Sequence, residues 1–221
     1  MTFSLLGRCG RTGALGMVIA SSSPAVAARC AHARAHVGAV ATQNVTDPRL
    51  GAQGLDLMAS GLSAGAALAR LRETAPHLDY RQLALLDANG EAAVFSGAHA
   101  LGCHAALTGD GAAAAGNLLA DAAVPDRMLA AFQAEPEADL PDRLIAALRA
   151  GSEAGPVHSA GLLVVRDQAF PLIDLRVDWH ADDPVGALAA LWEVYRPQVE
   201  DYVTRALDPR AAPRYGVKGE V

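Results

Sequence analysis

The tetrapeptide Asp87-Ala88-Asn89-Gly90 constrains the fold most, because Asn-Gly readily supplies the positive φ angles of a tight chain reversal. The apolar runs Gln82–Leu86 and Ala92–Phe95 flank it, which predicts a β-hairpin. The N-terminus reads the same way. Thr2–Gly7 and Leu15–Ala20, the latter with β-branched Val18 and Ile19, are separated by the turn-rich segment Gly10–Gly13. Ser159–Arg166 and Leu172–Val177 make a third predicted pair and Val37–Thr42 a single strand, while Gly111–Leu119 reads as another strand in a stretch so rich in alanine that periodicity does not separate strand from helix. Strands joined by tight turns pair antiparallel, so helices must gather on the outer faces.

The helices come in blocks between these strands. Leu55, Met58 and Leu62 share a helical face within Leu50–Arg72, with a break at Ser60-Gly61 and a restart capped by Ser63. Pro125–Gln133 and Asp139–Ala150 form a second pair, and Asp183-Pro184 opens a long helix striped by Val185, Leu188, Trp192, Tyr195 and Val199. Pro197 kinks or ends it. Ala25–Ala35 is a loop or short helix, and 208–221 is a disordered tail or an arm ordered by a partner chain. The expected organisation is one domain over 1–207 followed by that tail.

Composition narrows the function. The chain is 52% apolar but only 5% aromatic, so its core is built from Ala, Leu and Val, which suits closely stacked layers. A net charge of −6 gives no basic footprint for nucleic acid. Cys9, Cys30 and Cys103 are too scattered for a disulfide framework or a zinc site, which fits a reducing, cytoplasmic setting. Leu15–Ala28 is largely apolar and ends in small residues, but the polar turn before it argues against an export signal. No apolar run reaches the ~18 residues of a membrane span.

Several residues could carry chemistry. Removal of Met1 before a small residue would leave Thr2 with a free amine beside its hydroxyl, so that one residue supplies nucleophile and base. Very many chains begin Met-Thr without any such role. Ser21, Ser22, Gln43, Asn44 and Asn117 stand at strand ends, as oxyanion donors or as ordinary turn residues. His32 and His36 have helical i, i+4 spacing, but no acidic residue lies between them and no metal is expected. His104 follows Cys103 in a Gly-rich stretch. Alternation puts Asp174, Arg176, Asp178 and His180 on one strand face, as an ion-pair ladder or a substrate clamp. No GxGxxG or P-loop pattern follows a strand, and no cofactor is expected.

Met1–Leu5, Ala20–Ser23, Val37–Gln43, Gly116–Leu119, Ser159–Val165 and Asp174–Asp178 together resemble the domain of unknown function family 1028. That family is similar to the N-terminal-nucleophile (Ntn) hydrolases. The resemblance implies an α+β fold, a four-layer αββα sandwich of two antiparallel sheets between helical layers. It also implies amide-bond hydrolysis of a small-molecule substrate, with Thr2 as nucleophile and Asn117 as oxyanion or amine-positioning group. Ser22, Gln43, His104, Ser159, Asp174 and Arg176 are the implied pocket residues. A homo-oligomer is expected by the same analogy, with no nucleic-acid or membrane partner. Two departures stand out: Ala115 precedes Gly116-Asn117 where glutamine is expected, and His158 precedes Ser159-Ala160 where glutamine is expected. They motivate the alternative of a catalytically silent binding or assembly module.

Overall fold

The computed structural model describes residues 1–153 and 155–217. The N-terminal hairpin forms as expected: β1 (Thr2–Arg8) pairs with β2 (Leu15–Ser21), in a register running from Thr2 opposite Ser21 to Arg8 opposite Leu15. Ala25–Ala35 resolves into a short helix α1 (Val26–Cys30) and a strand β3 (Ala31–Arg34). The strand was not anticipated. Its four residues are too short for periodicity to register. His32 therefore lies on a strand and His36 in a turn at φ 62°, so the helical pairing of these histidines does not exist.

β4 (Gly38–Asn44) follows, then α2 (Arg49–Ala59) and α3 (Ala64–Thr74), broken at Ser60-Gly61 as the sequence predicts. Ser63 Oγ caps α3 by accepting from the Ala66 N–H. The Asn-Gly turn joins β5 (Arg81–Asp87) to β6 (Ala92–Ser96). A second unanticipated strand, β7 (Ala105–Gly109), pairs with β8 (Ala112–Asn117). Next come α4 (Val124–Gln133), α5 (Leu140–Ser152), β9 (Ser159–Val165), β10 (Ile173–Val177) and α6 (Pro184–Tyr195). Pro197 sits in a 3-10 turn, Arg196–Gln198, that separates α6 from α7 (Val199–Leu207). The described part of the tail folds back, with the Arg205 guanidinium 4.0 Å from the centre of the Tyr215 ring. Its last positions, 218–221, lie outside the described residues.

Two antiparallel sheets result, a six-stranded one in the order β10-β9-β2-β1-β8-β7 and a four-stranded one in the order β3-β4-β5-β6. Three apolar clusters fill the spaces between layers. Phe3, Leu5, Met128, Phe132, Leu144 and Leu188 join the larger sheet to α4, α5 and α6. Val40, Leu55, Met58, Leu68 and Leu83 join the smaller sheet to α2 and α3. Between the sheets lie Leu6, Met17 and Ile19 with Ala39, Ala41, Ala84, Ala113 and Ala115. Four layers need three such interfaces, and these residues supply them, giving the expected αββα sandwich. The alanines bring the two sheets close enough for side chains to hydrogen-bond across the gap. No helix among the described residues is long and apolar enough to cross a membrane.

Candidate functional site

Strand parity decides where Thr2 points. Along β1, Phe3 and Leu5 face the helices while Leu6 faces the other sheet, so Thr2 and Ser4 also face the other sheet. Register does the rest. Thr2 stands directly opposite Asn117 of β8 on one side and Ser21 of β2 on the other, and Ser21 stands opposite Ser159 of β9. Asn117, Thr2, Ser21 and Ser159 thus form one row across four strands, at the end of the inter-sheet layer. Thr2 alone is half-buried; the other three are buried.

Beneath the row lies a hydrogen-bond chain whose polarity is fixed. Gly116 O can only accept, so Gln82 must present its Nε2 to it, at 3.0 Å. Gln82 Oε1 then accepts from Gln43 Nε2 at 2.8 Å and from Asn117 Nδ2 at 3.1 Å. Gln43 Oε1 in turn accepts from Ser4 Oγ at 2.8 Å, bridging the two sheets. Ser96 Oγ accepts a further Gln82 Nε2 bond at 2.9 Å. This chain orients the Asn117 amide with one N–H toward Gln82 and leaves its second N–H for another acceptor.

The chain start is held just as firmly. Ser21 Oγ donates to Met1 O at 2.9 Å, so the Thr2 hydroxyl, 2.9 Å away, donates to Ser21 Oγ. The Ser22 N–H also reaches Met1 O, at 3.0 Å, and Ser22 Oγ accepts from the Met1 amine at 2.9 Å. Burial lowers that amine's pKa below its ordinary 8.0. Ser159 Oγ donates to Ser23 O at 2.7 Å and accepts the Val26 N–H at 3.2 Å, so it secures the β2–α1 corner.

The sequence-derived candidates divide accordingly. Thr2, Asn117, Ser22, Gln43 and Ser159 come together at one end of the sandwich. His104 is exposed at the entry to β7, where its Nδ1 lies 3.0 Å from Gly102 O; it makes no bond to the row. Asp174 and Arg176 stand on β10, separated from β1 by β9 and β2. There they border a small edge cavity of about 110 Å³ beside Ala27, Ala28 and Gly161. Both are exposed, neither makes an ion pair, and β10 ends before Asp178, so the expected ladder does not form among the described residues. Sequence reasoning missed Gln82, Ser4 and Ser96. The available signal was a glutamine at corresponding positions of two strands, and it becomes specific only once Gln43 is known to lie opposite Gln82.

The model of the family of unknown function DUF1028 matches residues 2–188. The chain belongs to the DUF1028 family. The match runs from β1 into α6 and contains every residue of the row and of the chain beneath it. The crystal structure of the DUF1028-family protein SPO2555 from Silicibacter pomeroyi is similar, with a TM-score of 0.85 and 32% identity, covering 91% of this chain and 89% of that one. No curated protein matches the sequence.

Proposed function

We propose that this DUF1028 chain is an Ntn-type amidohydrolase that cleaves a small amide or cyclic amide through Thr2, after removal of Met1. The supporting observation is the position of Thr2, half-buried between Ser21 and a buried, oriented Asn117. Loss of Met1 removes the carbonyl that engages Ser21 Oγ–H and Ser22 N–H, freeing two donors beside a new Thr2 amine. That amine accepts the Thr2 hydroxyl proton as Oγ attacks the substrate carbonyl. The oxyanion is held by the free Asn117 N–H and a backbone N–H, each such donor contributing ~3 kcal/mol to lowering the barrier. The tetrahedral intermediate collapses as the proton passes to the leaving nitrogen, and water then hydrolyses the Thr2 ester.

The deciding experiment pairs intact mass with chemical labelling. The mature protein lacks Met1, a β-lactone electrophile adds its mass at Thr2, and Thr2→Ala abolishes both labelling and turnover of amides. Retention of Met1, or labelling that survives Thr2→Ala, overturns the reading. One observation favours a catalytically silent module instead: a cleft of about 290 Å³ bordering the β1–β2 turn, lined by Cys9, Arg166 and Trp192, lies at the far end of β1 from Thr2. Under that reading small molecules bind at the cleft and the electrophile leaves residue 2 unmodified.

A further inference from the structure

We propose that the Thr2 end of the sandwich selects uncharged amides carrying a hydrocarbon or aromatic group; this rests on the proposed function for the location of the reacting bond. The side chains of the row and of the chain beneath it are hydroxyls and carboxamides only: Thr2, Ser4, Ser21, Gln43, Gln82, Ser96, Asn117 and Ser159. A charged substrate entering this layer would lose hydration and find no charged side chain there; the one ionisable group is the Thr2 amine, which acts as the base in its neutral form.

Large apolar side chains are exposed on both flanks of that end. Val45, Tyr80, Leu101 and Leu118 are between 44% and 47% exposed, and Trp179 is 58% exposed. The first four belong to strand ends and loops tied to one another. Leu118 N–H donates to Leu101 O at 3.0 Å, Leu101 N–H to Asn44 Oδ1 at 3.2 Å, and Asn44 Nδ2 to Tyr80 O at 2.7 Å. Val45 N–H donates to Tyr80 O at 3.3 Å. On the opposite flank Trp179 stacks on His158, with ring centres 4.7 Å apart, and His158 N–H donates to Ser21 O at 2.7 Å.

Leu118, the residue after Asn117, adopts φ 54°, a left-handed conformation that disfavours leucine. Its side chain rests on Gly102, where a Cβ would come within 2.9 Å of Leu118 Cδ2. A strained backbone thus holds a large apolar side chain at the surface beside the oriented Asn117. Exposed apolar side chains beside a row of hydroxyls and carboxamides suit an amide that carries an apolar group. The Arg81 guanidinium, on the same flank, is directed at the Val45 carbonyl.

Three anilides test this without requiring turnover: hexananilide, adipic acid monoanilide, and 6-aminohexananilide. Each is titrated calorimetrically into the Met1-free protein and into its Thr2→Ala variant. Hexananilide binds about tenfold tighter than either charged probe, and Leu118→Gly or Trp179→Ala each weakens it by about tenfold. Glycine suits the left-handed φ at position 118, so Leu118→Gly keeps the fold. Equal affinity for the three probes, preference for a charged one, no hexananilide binding, or binding indifferent to both substitutions overturns the proposal. Hexananilide that binds as expected but is never cleaved refutes the Thr2 mechanism and leaves the selectivity standing. Cleavage at Thr2 of the charged anilides as fast as the neutral one does the reverse.

Discussion

The two ends of the β1–β2 hairpin are built from different chemistry. At the open end Thr2 and Ser21 sit in a neutral web of hydroxyls and carboxamides that joins both sheets. At the turn end Cys9 and Thr12 border a cleft walled by ion pairs: Arg166 binds Glu200 at 2.8 Å, and Arg196 binds Asp142. Hydrogen bonding by Arg166 pulls the Glu200 carboxyl below its usual range. The buried neutral web is costly to break because each orphaned group stays dry, whereas the ion pairs are partly wet and each contributes little. Rigidity and charge thus reside at opposite ends of one hairpin.

Breaking each end in turn gives the largest contrast. Gln82→Leu strands the buried Gln43 Nε2, Asn117 Nδ2 and Gly116 O together and also removes the bond to half-buried Ser96 Oγ. At ~1–3 kcal/mol for a buried group left unsatisfied, and with some relaxation, the loss should reach about 3–5 kcal/mol in urea denaturation. Glu200→Gln at the turn end should cost less than ~1 kcal/mol in the same measurement. Equal losses would mean that the web is wet and the comparison wrong.

Turnover supplies the next test. With no ionisable side chain in the row, the amine is the only titrating group in the proposed chemistry. A protonated amine cannot accept the hydroxyl proton, so kcat/KM should fall about tenfold per pH unit below the amine pKa and level off above it. Burial already lowers the Met1 amine below 8.0, and the Thr2 amine would start one residue further in, so the plateau should begin below that pH. For a neutral amide the rate should change less than about twofold between 0.05 and 0.5 M salt, because screening acts only on charges. A second ionisation, or steep salt dependence, would bring a side chain outside the row into the mechanism.

Much of this molecule is legible locally. The Asn-Gly hairpin, the Ser60-Gly61 break, the Ser63 cap and the Pro197 interruption are each set by a few neighbouring residues, and each appears where the sequence predicts. β3 and β7 escaped because four or five residues beside glycine-rich or alanine-rich chain show no period. The row was half legible. Thr2, Asn117 and Ser159 mark strand ends, but their alignment depends on the register of β8, β1, β2 and β9, which no local pattern sets. Gln82 escaped for the same reason, since a glutamine at a strand start is ordinary until Asn117 and Gln43 converge on it. Alternation puts Asp174 and Arg176 on one strand face and the family resemblance adds them to the pocket, but neither sets strand order, which puts β9 and β2 between β10 and β1.

The smallest effect separates two thiols. Burial pushes Cys9 up, but bonds from the Thr12 hydroxyl and the N–H groups of Thr12 and Arg11, with the Arg11 charge, outweigh it and bring the thiol below 9.0. Burial raises Cys30 above 9.0, opposed only partly by Thr46 and Arg29. The signs of the two contributions therefore oppose. Between Cys9's folded value and 9.0 the unfolded chain holds a proton that the folded chain has lost, so Cys9 adds stability as pH rises toward 9.0 and loses it as pH falls. Above 9.0 the folded chain holds the extra proton at Cys30, so stability declines as pH rises further. Cys9→Ala should flatten the rise below pH 9.0 and Cys30→Ala the fall above it. Each slope is capped at ~1.4 kcal/mol per pH unit, the limit for a single proton. Urea denaturation of the three proteins from pH 7 to 10 reads both slopes; a Cys9→Ala curve parallel to the parent would remove the hydrogen-bonded thiolate from the turn end and leave that end defined by its ion pairs alone.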